Sequence, residues 1–282
     1  MRNTPASLRG TAMNDIENTL SWLGLSGRTC VVTGGAGGIG SETARRMAAA
    51  GAKVAVLDRT EASCIEVVDD IRRAGGTAIA IGCDVSDAAS VAAAARTVSR
   101  ELGAARVLVN NAGIGGGGRT ALLDASLDEW NRLLSINLTG AFLCAQAFGA
   151  QMRDAGRGGA MVHVASIGGD IAIPNGIAYS VSKAGVLMLS KQLCLELAPF
   201  GIRSNCISPG LVRTPMSEAY YRNEGRLQAR NKAVPSGRIA TPADMAEAIL
   251  FLSSARSGYV NGEDLLIDGG LSQVVMANIP RI

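Results

Sequence analysis

The sequence predicts an α/β fold, a single doubly wound domain whose seven-stranded parallel sheet carries helices on both faces. Three observations predict it. Short β-branched and apolar runs alternate with longer helix-like stretches along the 282 residues. A glycine-rich turn separates the first such run from the first helix. Polar residues and glycines gather just after the strands, at the carboxyl ends where sheets of this kind bind ligands. Apolar residues make up 48% of the chain, enough to bury a sizeable core. No repeat and no Pro- or Ser-rich linker divides residues 27–282, so one domain is expected there behind an N-terminal extension, 1–26.

Taken in order, Cys30-Val31-Val32 reads as a buried strand, 33–40 as the turn and 41–50 as a helix. A second strand, 53–58, ends in Asp58, 18 residues after Gly40. Helix 61–74 is closed by Gly75-Gly76, and strand 77–81 leads to Cys83-Asp84-Val85. After helix 87–102, strand 107–109 runs into Asn110-Asn111-Ala112-Gly113 and a glycine-rich loop, 115–118. A long helix, 127–151, precedes strand 160–165. Helix 178–197 is stopped by Pro199 and Gly201. Strand 203–208 ends at Pro209-Gly210, and helix 242–253 precedes the last strand, 265–267. The segment 211–238 has no clear strand and holds Pro215, Tyr220, Tyr221 and several arginines; it reads as an inserted lid.

Several function classes are disfavoured. A formal charge of +3 with no basic tract offers no footprint for nucleic acid. The first 26 residues do not resemble a secretory signal, and a cytoplasmic location is expected; Met13, Ile16, Leu20 and Leu23 fall near helical spacing, and Met13 is an alternative start. Residues 133–152 carry no charge, but Ser135, Asn137, Thr139, Gln146 and Gln151 make them too polar for lipid; a helix in the core or in a subunit interface is expected. Six scattered cysteines without a CxxC pair read as small buried residues in a reducing compartment, and the single His163 as a core residue, so no metal site is expected. No GxSxG elbow is present to suggest a serine hydrolase.

The glycine turn makes a phosphate site. Glycines let the backbone approach a ligand, and the first helical N–H groups are unpaired and point at it. Asp58, ending the next strand, stands where a dinucleotide fold places the carboxylate that holds ribose hydroxyls. Tyr179 and Lys183, four apart, share a helix face. A phenol titrates near ~10, and a neighbouring ammonium is expected to bring that down towards use as a base.

With these residues in view, the chain resembles the short-chain dehydrogenase/reductase family over about 25–270. Thr33-Gly34-x-x-x-Gly38-x-Gly40 is similar to its cofactor turn, Asn110-Asn111-Ala112-Gly113 to its fourth-strand motif, and Pro209-Gly210-Leu211-Val212-Arg213-Thr214 to the segment that holds a nicotinamide carboxamide. Asn137, Ser166, Tyr179 and Lys183 fall where the family has its catalytic four, with Ser166 preceding Tyr179 by 13 residues. The family often has a second serine beside the catalytic one; here Ala165 and Ile167 flank Ser166. The resemblance implies a Rossmann fold and an NAD(P)-dependent oxidoreductase interconverting an alcohol and a ketone. Tyr179 would exchange the proton, Ser166 hold the substrate oxygen, Lys183 lower the Tyr179 pKa and hold the nicotinamide ribose, and Asn137 hold a relay water. The implied cofactor-binding set is Gly34, Gly38, Ile39, Gly40, Asp58, Asp84, Val85, Asn111, Ala112, Gly113, Tyr179, Lys183, Pro209, Gly210, Val212 and Thr214. Asp84 and Val85 would bracket the adenine; the plainer reading of Asp84 is a helix N-cap.

Asp58 would repel a 2′-phosphate, which favours NAD, while Arg59 is the counter-signal that keeps NADP open. The expected partners are a small alcohol or ketone and further copies of the chain, a tetramer or dimer packed through 133–152, with neither nucleic acid nor membrane. The substrate walls are expected at 115–119, 168–175 and the lid, whose arginines would suit an anionic or carrier-linked substrate or simply a solvated face. Two alternatives remain: an NADPH-dependent 3-oxoacyl thioester reductase, and a non-catalytic nucleotide sensor on the same fold.

Overall fold

The computed structural model describes residues 22–115 and 121–274. Seven strands form one sheet in the order β3-β2-β1-β4-β5-β6-β7. They are β1 (Thr29–Thr33), β2 (Lys53–Asp58), β3 (Thr77–Gly82), β4 (Val107–Asn110), β5 (Gly159–Val164), β6 (Ile202–Pro209) and β7 (Asp264–Ile267). Every neighbouring pair is parallel. The chain works outward from β1 to β3, then returns to place β4 on the other side of β1. The crevice over that reversal, at the carboxyl ends of β1 and β4, is where an open α/β sheet receives a ligand.

The central strands are apolar throughout because both faces are covered. Cys30 and Val32 join one core layer with α1 (Gly38–Ala49), α2 (Glu61–Arg73) and the last long helix, Pro242–Ser253. Val31 and Leu108 point into the other layer, under α3 (Ala88–Leu102). Each such fully buried aliphatic side chain contributes roughly 1.5–3 kcal/mol. Leu23 and Leu25 pack into the first layer, but Met13, Ile16 and Leu20, which share the near-helical spacing, lie outside the described residues, as do 116–120.

The expected single helix after β4 is three pieces. Helix α4 (Leu127–Leu134) passes through a π-helical turn, Ser135–Thr139, into α5 (Gly140–Ala155). Ser126 caps α4 by accepting from the Glu129 N–H at 3.1 Å. The whole stretch, Leu127–Ala155, is long and apolar enough to cross a bilayer. In this fold Cys144, Ala145, Phe148 and Met152 turn it onto the sheet. The π turn adds one residue to a helical turn, a distortion concentrated at functional sites. It carries Asn137.

Helix α6 (Ile177–Leu197) follows β5, and the segment 211–238 holds a short helix, α7 (Glu224–Ala233), before α8 (Pro242–Ser253). No strand forms in 211–238, although Val212 makes an isolated parallel bridge to Ala240. Asp87, not Asp84, caps α3, accepting from the Ala89 and Ser90 N–H groups at 3.0 and 3.2 Å.

His163 lies in the middle of the sheet, fully buried. Its Nδ1 receives Asn110 Nδ2 at 3.1 Å, and its Nε2 meets Ser204 Oγ at 3.1 Å. Asn110 Nδ2 is a donor, so Nδ1 accepts and the proton resides on Nε2. Burial pushes the imidazole down to about 4. The unfolded chain binds this proton from about pH 6.5 downward and the folded chain does not. The stability it contributes is therefore complete above about pH 6.5 and is lost as pH falls towards the folded value, roughly 3 kcal/mol in total. Denaturant midpoints measured between these limits should fall less steeply for His163→Asn than for the native chain; equal slopes would show that His163 does not carry this dependence.

Candidate active site

A cleft of about 780 Å³ opens over the strand reversal. At one end of its wall stand Asp58, Arg59, Asp84 and Val85; Gly34, Gly38 and Ile39 form the middle; Ser166, Tyr179 and Lys183 form the far end. Asn111, Ala112 and Gly113 line it from β4, and Pro209, Gly210, Val212 and Thr214 from the end of β6. Thus residues scattered through the sequence meet in one cavity. Gly40 and Asn137 stand just behind the wall.

The turn depends on glycine for two distinct reasons. Gly34 has φ +61°, a left-handed conformation that side chains disfavour. Gly40 faces the Gly34 carbonyl oxygen so closely that a Cβ would overlap it. Thr33 and Asn111 tie the turn to β4: Asn111 Nδ2 donates to the carbonyls of Thr33 and Gly34, both at 3.0 Å. The Asn111 and Ala112 N–H groups donate to Thr33 Oγ1, also at 3.0 Å. The N–H groups of the first turn of α1 are left facing the cleft, where an anion can accept from them.

Asp58 closes the other side. Its Oδ2 accepts from the Ala36 N–H at 3.1 Å and its Oδ1 from the Arg59 N–H at 2.8 Å. Asp84 accepts from both the Ser86 N–H (2.9 Å) and hydroxyl (2.6 Å), and these bonds hold its carboxyl below the usual range.

Tyr179 and Lys183 point inward from α6. The turn before that helix contains Asn175 at φ +58°, a conformation asparagine tolerates better than most residues. Lys183 is 5% exposed, and its Nζ donates to the Val164 carbonyl at 2.7 Å, 5.9 Å from the centre of the Tyr179 ring. Burial pushes the ammonium down to about 8. Tyr179 corrects an expectation: burial raises its phenol above the ordinary value, and the partner that lowers it is the Ser166 hydroxyl rather than Lys183. The ammonium's hydrogen bond goes to the backbone of β5. Ser166 Oγ accepts from the Gly168 N–H at 3.0 Å and its hydroxyl stands beside Tyr179 in the cleft wall. Asn137 clamps the loop after β4, accepting from the Ile114 N–H at 2.8 Å and donating to the Ile114 carbonyl at 3.0 Å. It also donates to Ser182 Oγ at 3.1 Å.

The expected walls fare unevenly. Of the lid, Pro215, Met216 and Ser217 line the cleft. The stretch 168–175 does not line it; Asn175 faces a separate small hollow beside Tyr179, against α4. Most of 115–119 lies outside the described residues. The lid's positive charge is partly answered within the lid and α8, Arg213 by Glu218 and Arg238 by Asp244, while Arg230 lies 5.1 Å from the rings of both Tyr220 and Tyr221. Arg132, Ile136 and Met216 are cleft residues that sequence reasoning missed. For the first two, the available signal was their place just before Asn137 on its own helix.

The chain is similar to several known proteins. The family profile described as Enoyl-(Acyl carrier protein) reductase matches residues 34–272. The chain is 40% identical to D-threitol dehydrogenase of Mycolicibacterium smegmatis over 87% of its own length and 93% of that protein's. It superimposes on a short-chain type dehydrogenase/reductase of Mycobacterium marinum with TM-score 0.85, at 38% identity over 90% of this chain and 98% of the other. A gluconate 5-dehydrogenase of Burkholderia cenocepacia, solved with NADP and tartrate, gives TM-score 0.85 at 34% identity, covering 91% of this chain and all 100% of that one.

The packing of the turn makes a paired test. Gly40→Ala should destabilise the protein by about 1–3 kcal/mol, because the Gly34 carbonyl must move. Gly37→Ala, where a Cβ meets nothing within 4 Å and the backbone is extended, should cost less than about 1 kcal/mol. Equal losses in chemical denaturation would contradict the role given to Gly40.

Proposed function

The chain belongs to the short-chain dehydrogenase/reductase family and is an oxidoreductase, and we propose that it is an NAD-dependent dehydrogenase interconverting a small alcohol and its ketone. One observation carries this reading: a single cleft joins a phosphate-cradling turn, a ribose-directed carboxylate and a Ser-Tyr-Lys group. The residues fit a dinucleotide. The space beside Gly37 is open and no side chain caps the start of α1, so its first N–H groups are free for a diphosphate, and Asp58 lines the same cleft where an adenine ribose would lie.

The nicotinamide of such a cofactor supplies the hydride acceptor or donor. The chain's own groups handle the rest. Gly38 and Ile39 N–H groups would receive the diphosphate, Asp58 the ribose hydroxyls, and Asp84 with Val85 the adenine. Pro209, Gly210, Val212 and Thr214 would hold the carboxamide end. Ser166 would turn its hydroxyl to the substrate oxygen and steady charge developing there. Tyr179 takes the alcohol proton in oxidation and returns it in reduction, work typically worth about 10²–10⁴ in rate. Lys183 fixes the nicotinamide ribose. An oxidised, cationic nicotinamide would acidify the Tyr179 phenol, which burial raises. Asn137 holds the β4 loop against Lys183 and would seat the relay water. Pro215 and Met216 of the segment 211–238 would bound the substrate in the cleft.

NAD is preferred because the Asp58 carboxylate would repel a 2′-phosphate. Arg59 on the same wall supports the second reading, an NADPH-dependent reductase of 3-oxoacyl thioesters. Half-exposed Phe142 on α5 and the outward Met188 and Leu195 on α6 suit a homo-oligomer, which light scattering would test against a monomer mass.

Three outcomes test the proposal. Tyr179→Phe should remove turnover, by about 10²-fold or more, while NAD still binds; unchanged turnover would discard the mechanism. In ultraviolet titration, the Tyr179 phenolate, identified by difference from that variant, should appear above the ordinary phenol range in free protein and shift down once oxidised NAD is added. No shift would remove the charge argument. Asp58→Ala should weaken NAD more than NADP in equilibrium titration; equal loss, or initial rates much higher with NADPH in the native chain, would favour the second reading.

A further inference from the structure

The cleft is chemically divided along its length. Apart from Tyr179 and Lys183, its charged side chains stand at the end with Val85: Asp58, Arg59, Asp84 and, from α4, Arg132. Ile136, four residues beyond Arg132, packs into the core layer that holds Val85. A Cβ on Gly140, four residues further, would meet Val85 at 2.8 Å. Residues four apart share a helix face, so Arg132 is directed at the same end.

The end beside Lys183 is different. A Cβ on Gly113 would lie 3.5 Å from Lys183 Nζ, Ile114 follows, and a Cβ on Gly115 would lie 3.7 Å from Met216 Sδ. Ile114 and Met216 therefore border the catalytic group, and both line the cleft. Met216 is 62% exposed, a large apolar side chain whose cover by another apolar group is favourable.

The hydroxyl of Ser217 in the same segment is committed to the chain. It donates to the Val212 carbonyl at 2.7 Å, accepts from the Thr214 N–H at 2.9 Å and stands 3.2 Å from Thr214 Oγ1. Arg213 is held by Glu218 and Arg238 by Asp244, and neither lines the cleft. With Lys183 given to the nicotinamide ribose, the described residues at this end offer Ser166 and Tyr179 to one oxygen and apolar surface to the rest of a substrate. A second hydroxyl or a carboxylate seated there would give up water without gaining a partner, which is costly.

Building on the dehydrogenase reading, we propose that the substrate is a neutral alcohol or ketone whose hydrocarbon part lies against Ile114 and Met216, and that Met216 selects it over polyols and hydroxy acids. The specificity comes from the absence of partners for extra polar groups as much as from the apolar contact itself.

The test is initial rates of NAD reduction with three alcohols built on one ring: cyclohexanol, inositol and 4-hydroxycyclohexanecarboxylate. The kcat/KM value should be about tenfold or more higher for cyclohexanol than for either of the others. Met216→Gln, similar in length but polar, should raise KM for cyclohexanol about tenfold with kcat little changed, and should narrow the preference over inositol. Met216→Leu should keep the native preference. Equilibrium titration with NAD should give one affinity for all three proteins, showing that the variants are folded and bind nucleotide normally. Preference for inositol or for the carboxylate, or an unchanged preference in Met216→Gln, overturns the substrate class and leaves the dehydrogenase reading standing. Absence of turnover with all three alcohols while NAD binds does the same. Failure of the native chain to bind NAD overturns the reading on which the proposal rests.

Discussion

A lysine ammonium held out of water is the constraint on which the site depends. Lys183 is 5% exposed, and its hydrogen bond to the Val164 carbonyl is what the chain itself offers it. A buried charge is costly unless it is surrounded by partners, and the fall of this ammonium to about 8 expresses that strain. The surrounding structure is arranged around it. The end of β5 supplies the carbonyl, α6 places Tyr179 one turn before it, and the π turn between α4 and α5 brings Asn137 to the loop at Gly113. Gly113 packs directly on both: a Cβ there would lie 3.5 Å from Lys183 Nζ and 3.3 Å from Asn137 Oδ1. A ligand rich in hydroxyl groups, entering beside Lys183, would complete what the protein leaves incomplete.

The carboxyl edge of the parallel sheet gathers glycines, Asp58, Asp84 and Ser166 around a cleft. This follows from parallel connectivity, since each strand starts at one edge and ends at the other. The cleft in turn has two chemically unlike ends, charged around Asp58 and Asp84 and apolar around Ile114 and Met216.

Much of the molecule was legible in the sequence, for reasons that are local. Runs such as Lys53–Asp58 are long enough and apolar enough to identify strands, and the glycine turn sits between a strand and a helix where context limits its meaning. The four-residue spacing of Tyr179 and Lys183 correctly placed both on one wall. What it could not say is where the ammonium points. That depends on Val164, fifteen residues before Tyr179, whose carbonyl takes the proton the phenol was expected to feel. The π turn at Ser135–Thr139 was likewise invisible, since no proline or glycine within those five residues marks it. Asp84 and Asp87 are both plausible caps by composition, and backbone geometry chose Asp87. Arg132 reaches the cleft from α4, and only its place before Asn137 on the same helical stretch pointed there.

The central claim is that the Tyr179 hydroxyl, positioned beside a buried ammonium, faces the reacting ring of a nucleotide whose diphosphate rests on α1. A crystal structure of the protein with NAD measures this directly. The account predicts the nicotinamide ring in contact with Tyr179, the ribose hydroxyls on Lys183, and the adenine ribose hydrogen-bonded to Asp58. A nucleotide bound in the reverse sense, or a Tyr179 hydroxyl turned away from the ring, would contradict it.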